Sequence, residues 1–248
     1  MLYDVDHLEA DLARLGVGAG DTLFTHSSFR SLGPVAGGAA TVVAAMAAAV
    51  APGGLLLMPS FNLVERKQRA QVWDATSSPS TVGWLTEFFR RMPGTFRSDH
   101  YSHSVAARGP GARDFVADHR SLEGHESPWD EPPWGRTYGT HSPMFRAYRQ
   151  NAQLLMLGVD YDSSTYCHLV EVLYWHHLRV GDPEVGYPAL DRRALGSFWD
   201  RAGAASGALC RGPVGDAPCR LFRVAAYVDC LLVEVKRNPQ TYVRRPGS

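Results

Sequence analysis

Two side chains three residues apart, His168 and Glu171, have the types and spacing that best suit proton transfer in this 248-residue sequence. They stand in His168-Leu-Val-Glu171, entered through Asp162-Ser-Ser-Thr165. An imidazole ordinarily titrates near ~6.5, so it can accept a proton at neutral pH, and a carboxylate beside it fixes its tautomer and stabilises the imidazolium. Residues three apart on a helix are neighbours, so a helix here turns both toward the mouth of a preceding strand, where ligands and chemistry collect in open sheets. Such a pair can deprotonate an amine. Thr165, at the expected helix start, is placed to donate to a developing oxyanion with help from backbone N–H groups. The same spacing also suits a helix that only carries polar residues on its wet face, and spacing leaves both readings open. His176 and His177 lie further along and receive no role.

Two other constellations carry polar groups. Thr25-His-Ser-Ser28, with Ser31-Leu-Gly33 and Gly37-Gly38, lies between a strand end and a helix start. Small residues there leave backbone N–H groups open for a phosphate or a pantetheine arm. The stretch contains neither Gly-x-Gly-x-x-Gly nor a P-loop, and a turn that merely reverses the chain is the competing reading. Arg97-Ser-Asp-His100-Tyr-Ser-His103-Ser104 enters a further strand, and its cation and histidines could hold a polar ligand.

The elements that must position these groups follow from periodicity. Asp4 or Asp6 caps a helix with Leu8, Leu12 and Leu15 as its apolar stripe, ended by Gly16. Thr22–Thr25, Leu55–Met58, Ser104–Ala107 and Leu154–Leu157 read as strands, Ala39–Val50 and Val82–Arg91 as helices, and Ala112–His119 as another. Residues 62–80 are polar and irregular. Gly158–Ser164 forms the loop into a helix over Thr165–His177, and short strands near Ala208–Arg211 precede a closing helix at Val224–Val235. Residues 121–148, rich in Pro with two Trp, read as a long loop or lid rather than core.

With 45% apolar residues the chain can bury a core, and nothing in its middle resembles a linker, so residues 1–248 are expected to form one domain. Lys plus Arg (25) balance Asp plus Glu (25), which argues against nucleic acid or an acidic membrane as partner. Cys167, Cys210, Cys219 and Cys230 lack the spacing of a zinc site or a disulfide framework. No signal core or membrane span stands out, giving the expectation of a cytoplasmic protein.

Taken together and in order, these segments resemble the aminoglycoside 3-N-acetyltransferase family, also called the antibiotic acetyltransferases. The resemblance rests on Gly20-Asp-Thr-Leu-Phe-Thr-His-Ser-Ser-Phe-Arg-Ser-Leu-Gly33, Leu57-Met-Pro-Ser-Phe61 and Pro79-Ser-Thr-Val-Gly-Trp-Leu-Thr-Glu87. It continues through Arg97-Ser-Asp-His100, His103-Ser-Val-Ala-Ala107, Leu155-Met-Leu-Gly158, Thr165-Tyr-Cys-His168-Leu-Val-Glu171 and Gly212-Pro-Val-Gly-Asp-Ala217. It implies an α/β fold of three layers, α/β/α around a central mixed sheet, unlike the common N-acetyltransferase fold. It also implies direct acetyl transfer from acetyl-coenzyme A to a primary amine, without a metal, in a monomer or homodimer.

Carried over, His26, Ser27, Ser28, Ser31, Gly33 and Val35 would line the pantetheine arm, with Arg97, His103 and Ser104 completing the coenzyme site. His168, Glu171 and Thr165 would be catalytic, as base, its supporting carboxylate and the oxyanion donor, while Cys167 points away because adjacent helix residues face different directions. Asp74, Asp160, Asp162 and Ser164 would face the acceptor; family members often have Asn at the place of Ser164, and that loop helps shape the acceptor pocket. Resistance enzymes of this kind use an acidic cleft. Asp99, Asp130 and Glu131 could add to one here, but Arg66, Lys67 and Arg69 oppose it. A biosynthetic amine other than an aminoglycoside is the alternative acceptor. The rival classes are a zinc hydrolase built on His100, His103, His168 and Glu171, and a module that binds coenzyme A without turnover.

Overall fold

Strands that are apolar on both faces need a layer of helices on each side, and the computed structural model, which describes residues 2–64 and 68–244, provides them. Helix α1 (Val5–Leu15) starts at Asp4, whose carboxylate accepts from the His7 N–H, and stops at Gly16 with φ 113°. Strand β1 (Thr22–Ser27) passes through a 3-10 turn at Phe29–Leu32 to α2 (Ala39–Val50) and β2 (Leu55–Pro59), the expected crossover. Next come α3 (Arg69–Val72), α4 (Trp84–Arg91), β3 (Phe96–Arg97), β4 (Val105–Arg108) and α5 (Ala112–Phe115). The second half runs β5 (Gly124–His125), β6 (Tyr138–Gly139), α6 (Pro143–Arg149), β7 (Gln153–Leu157) and α7 (Tyr166–Arg179). It closes with α8 (Arg192–Ser206), β8 (Leu209–Val214), β9 (Ala217–Arg223), α9 (Val224–Arg237) and α10 (Pro239–Tyr242).

Seven strands form one sheet in the order β3-β4-β2-β1-β7-β9-β8. Its centre, β2-β1-β7, is parallel and both flanks are antiparallel, so the sheet is mixed as expected. The period-2 alternation of strands sorts the two cores. Phe24, Leu57, Leu154 and Met156 face the layer of Leu169, Trp199 and Tyr227. Leu23, Leu56, Leu155 and Leu157 face that of Leu12, Met46 and Phe89. Parallel register sets His26 beside Met156 and Ser27 beside Leu157, so β1 and β7 end level. From there the chain leaves β1 toward α2 on one face and β7 toward α7 on the other, which opens a crevice at the carboxyl ends of the strands.

Several expectations need correction. Strand β1 extends through Ser27, so His26 and Ser27 are sheet residues rather than part of the turn. The helix expected over Ala112–His119 stops at Phe115. Residues 121–148 are not simply loop: Ser142 accepts from Phe145 N–H and caps α6, and Tyr138, Met144 and Ala147 are buried in the core. Helix α8 was not anticipated; Asp191 caps it by accepting from the Arg193 and Ala194 N–H groups. Arg66 and Lys67 lie outside the described residues. No helix among the described residues is long and apolar enough to cross a membrane.

Candidate active site

The crevice is a cavity of about 580 Å³. Of the residues singled out from the sequence, His26, Ser27, His103, Asp162, Ser164, Thr165 and His168 line it. They converge from the ends of β1 and β7, the approach to β4 and the first turn of α7.

Helix α7 presents His168 to the cavity, with the ring nitrogen Nδ1 2.6 Å from Glu171 Oε2. Glu171 is 4% exposed and stands behind the imidazole, not in the cavity. Its carboxylate also accepts from the Leu190 N–H at 3.1 Å and from the Tyr187 hydroxyl at 3.3 Å. An acceptor on Nδ1 requires the proton there and leaves Nε2 the basic nitrogen. Nε2 has no hydrogen-bond partner among the described residues. Trp129 and His103 pack edge-on against the ring, with centroids 4.9 Å away for Trp129 and 5.4 Å for His103, holding its plane.

The opposite wall is made of buried side chains. Burial pushes His26 down to about 3, so it is a neutral imidazole, and its Nε2 lies 3.2 Å from Thr165 Oγ1. Met144 Sδ is a second acceptor for that hydroxyl at 3.7 Å, so Thr165 reaches a cavity oxyanion only by releasing these contacts. Ser27 Oγ is buried without a partner. His103 adopts φ 51°, a left-handed conformation that costs energy in any residue but glycine. Ser102 Oγ at 2.8 Å and the rings of Phe61, Trp129 and Tyr138 keep it there, and burial holds it well below the usual histidine range.

Other sequence candidates stand elsewhere. Arg97 donates to the carbonyls of Ala75, Ser78 and Ser60 and lies over Trp73, so its guanidinium ties Ser60 to residues 73–78 and is not at the cavity wall. Asp74 accepts from the Ser77 and Thr76 N–H groups and the Ser77 hydroxyl, which close its own turn and lower its pKa. Asp160 accepts from the Tyr161 N–H and caps the 3-10 turn at Tyr161–Ser163. Ser104 donates to Ser60 O, and Ser31 to Ser28 O. Ser28, Ser31, Gly33 and Val35 form the turn beside the crevice but not its wall. Cys167 faces the core, 3.1 Å from Tyr227 OH, with burial pushing its thiol up to about 11.

The four residues of the zinc arrangement do not share one point. His100 stacks on His119 at 4.4 Å with Nδ1 tied to Ser102, and Glu171 lies on the far side of His168. Among the described residues no three His, Cys, Asp or Glu side chains converge as ligands.

The sequence did not single out Trp129, Tyr187 or Arg192. Trp129 is brought in by a pinned loop: Asp130 accepts from Ser127 and Thr137, and Tyr101 donates to Trp129 O. Its place in a Pro and Trp segment was a faint signal. Nothing local marks Tyr187, in the connection between α7 and α8, or Arg192, the first residue of α8.

Residues 24–234 match the family model described as aminoglycoside 3-N-acetyltransferase. The chain is 31% identical to aminoglycoside N(3)-acetyltransferase IV from Salmonella sp over 96% of its own length and 90% of the relative's. It is 29% identical to aminoglycoside N(3)-acetyltransferase VII from Streptomyces paromomycinus, over 90% and 88%. Among solved structures, the aminoglycoside acetyltransferase AAC(3)-IVa apoenzyme superposes with a TM-score of 0.79 at 28% identity, covering 99% of this chain and 93% of that one. The AAC-IIIb complex with CoASH gives 0.75 at 25% identity, covering 100% of both.

Proposed function

Because the chain belongs to the aminoglycoside 3-N-acetyltransferase family, we propose that it transfers an acetyl group directly from acetyl-coenzyme A to a primary amine of an aminoglycoside or related natural product, with His168 as general base. One observation carries this reading: an imidazole whose Nδ1 is held by a buried carboxylate turns its free Nε2 into the crevice. His168 Nε2 removes the amine proton as the nitrogen bonds to the acetyl carbon, then returns it to the departing sulfur, so protons balance without a second acid. Glu171 fixes the tautomer and stabilises the imidazolium. Thr165 steadies the developing oxyanion if its hydroxyl leaves His26.

The wall fits an amide-bearing pantetheine arm. Ser27 Oγ is a buried hydroxyl with neither its donor nor its acceptor capacity used, and a relative of the same architecture binds CoASH. Acetyl-coenzyme A would supply the activated acyl group, and the chain's residues would orient it and exclude water. The reading also keeps the protein in the cytoplasm.

The test is His168→Ala. Turnover should fall ~100-fold or more, as general-base losses do, while calorimetric affinity for coenzyme A changes little. Turnover near the unsubstituted value would overturn the base assignment.

A further inference from the structure

Both half-buried cations of the cavity wall, Arg69 and Arg192, lack a carboxylate partner among the described residues. Arg192 donates only to a backbone carbonyl, that of Asp162, at 3.3 Å. Arg69 lies over the Tyr101 ring at 5.3 Å. Among the described residues the wall has one carboxylate, Asp162, and it is already bound to Arg193 at 2.7 Å.

A polycationic acceptor would enter against this charge. An ammonium-rich sugar needs several free carboxylates, and the described residues of the wall offer one, compensated, against two arginines. Asp74 and Asp160, the other acidic candidates, close their own turns. Asp99 binds Arg120, Asp130 binds Arg136, and Glu131, which accepts from Gln71, does not line the cavity.

The two cations line the same cavity as the base. The Arg192 charge bears on the Tyr187 hydroxyl, which donates to Glu171, and the Arg69 charge bears on His103, whose ring meets His168 at 5.4 Å. A guanidinium without a carboxylate is built to take a bidentate oxyanion. Positive charge beside an incoming ammonium also favours its neutral form, the form that can attack.

We propose that the acceptor is an amine carrying its own anionic group, a phosphate, phosphonate or carboxylate, which Arg192 and Arg69 hold while the amine meets His168. The proposal rests on the acetyl-transfer reading above and selects among its acceptors. A zwitterion of this kind crosses the wall without net positive charge. Its anion fixes the distance to the base, so chain length between anion and amine becomes a determinant of turnover.

The experiment measures thiol release from acetyl-coenzyme A with aminoalkyl phosphonates of graded length, their parent alkylamines, and the aminoglycosides gentamicin and sisomicin. The best phosphonate should exceed its parent amine in kcat/KM by about 10- to 100-fold, the worth of one or two charge-assisted contacts. Arg192→Ala, and independently Arg69→Ala, should collapse that ratio toward one. Calorimetry of the phosphonate against protein loaded with coenzyme A reads the same site without turnover, and its affinity should fall in both variants.

Aminoglycosides turned over in preference to anionic amines would overturn the proposal and leave acetyl transfer standing. Weakened coenzyme binding in the arginine variants, with the phosphonate ratio intact, would assign the cations to the coenzyme's phosphates and also overturn it. If no amine releases thiol, the transfer reading fails. Phosphonate binding lost in Arg192→Ala would still support the arginine pair, and the lack of any such binding would sink it.

Discussion

At the scale of single residues, the site is a chain of contacts leading away from one nitrogen. Leu190 N–H, the Tyr187 hydroxyl and His168 Nδ1 converge on Glu171, so its carboxylate has one orientation and the imidazole one tautomer. Glu171→Gln keeps the shape and the acceptor oxygen but removes the charge that stabilises the imidazolium. Its kcat should drop about 10- to 100-fold with coenzyme affinity preserved. An unchanged kcat in a normally folded variant would reduce Glu171 to a packing role. Tyr187→Phe removes one of three supports, so a loss of about 10-fold or less in kcat is expected; a larger loss would mean that the hydroxyl touches substrate. The His168 and Glu171 pair was legible because helical neighbours are encoded three apart. Tyr187 and Arg192 were not, because their nearness to the pair arises from the path of the chain after α7.

At the scale of elements, the crevice exists because β7 and the turn after β1 touch. Gly158 has φ 62°, and a Cβ there would overlap Ser31 Oγ, the hydroxyl that ties the turn by donating to Ser28 O. Gly158→Ala must therefore adopt a left-handed conformation and displace the turn. We expect a stability loss of about 1–3 kcal/mol, read as a lower melting temperature, with a raised KM for acetyl-coenzyme A and a smaller change in kcat. A variant with normal melting and normal KM would show that the turn and β7 are not coupled. The strands β1, β2, β4 and β7, together with α1, α2, α4, α7 and α9, announced themselves through apolar runs and caps. Helix α8 did not: Arg192, Arg193, Asp200 and Arg201 break up its apolar stripe, and only Leu195, Gly196, Trp199 and Gly203 are buried. Helix α6 was hidden in the same way by the prolines and tryptophans before it, although Ser142-Pro143 is a capped helix start.

At the scale of the whole molecule, a formal charge of zero concealed how unevenly the ionisable groups are placed. Four histidines, His26, His100, His103 and His119, are buried, and burial depresses each of them, His26 to about 3 and His100 to about 4. Their neutral forms are built into the hydrogen bonding. Val105 N–H donates to Ser98 Oγ, Ser98 Oγ to His119 Nδ1, and His119 Nε2 to Thr137 O, a direction that fails once His119 is protonated. In the unfolded chain the same imidazoles bind protons from near pH ~6.5 downward, so over the interval below that value the unfolded state holds more protons. Stability is therefore complete above that pH and falls as the pH drops toward 4, at about 1.4 kcal/mol per pH unit for each imidazole still neutral in the fold. Melting temperatures measured from pH 7.5 to 4.5 should decline steeply below pH 6.5, and His119→Gln should flatten the slope by removing one proton-linked group. A melting temperature constant over that range would mean that these rings already accept protons in the native state, and that burial does not depress His26 and His103.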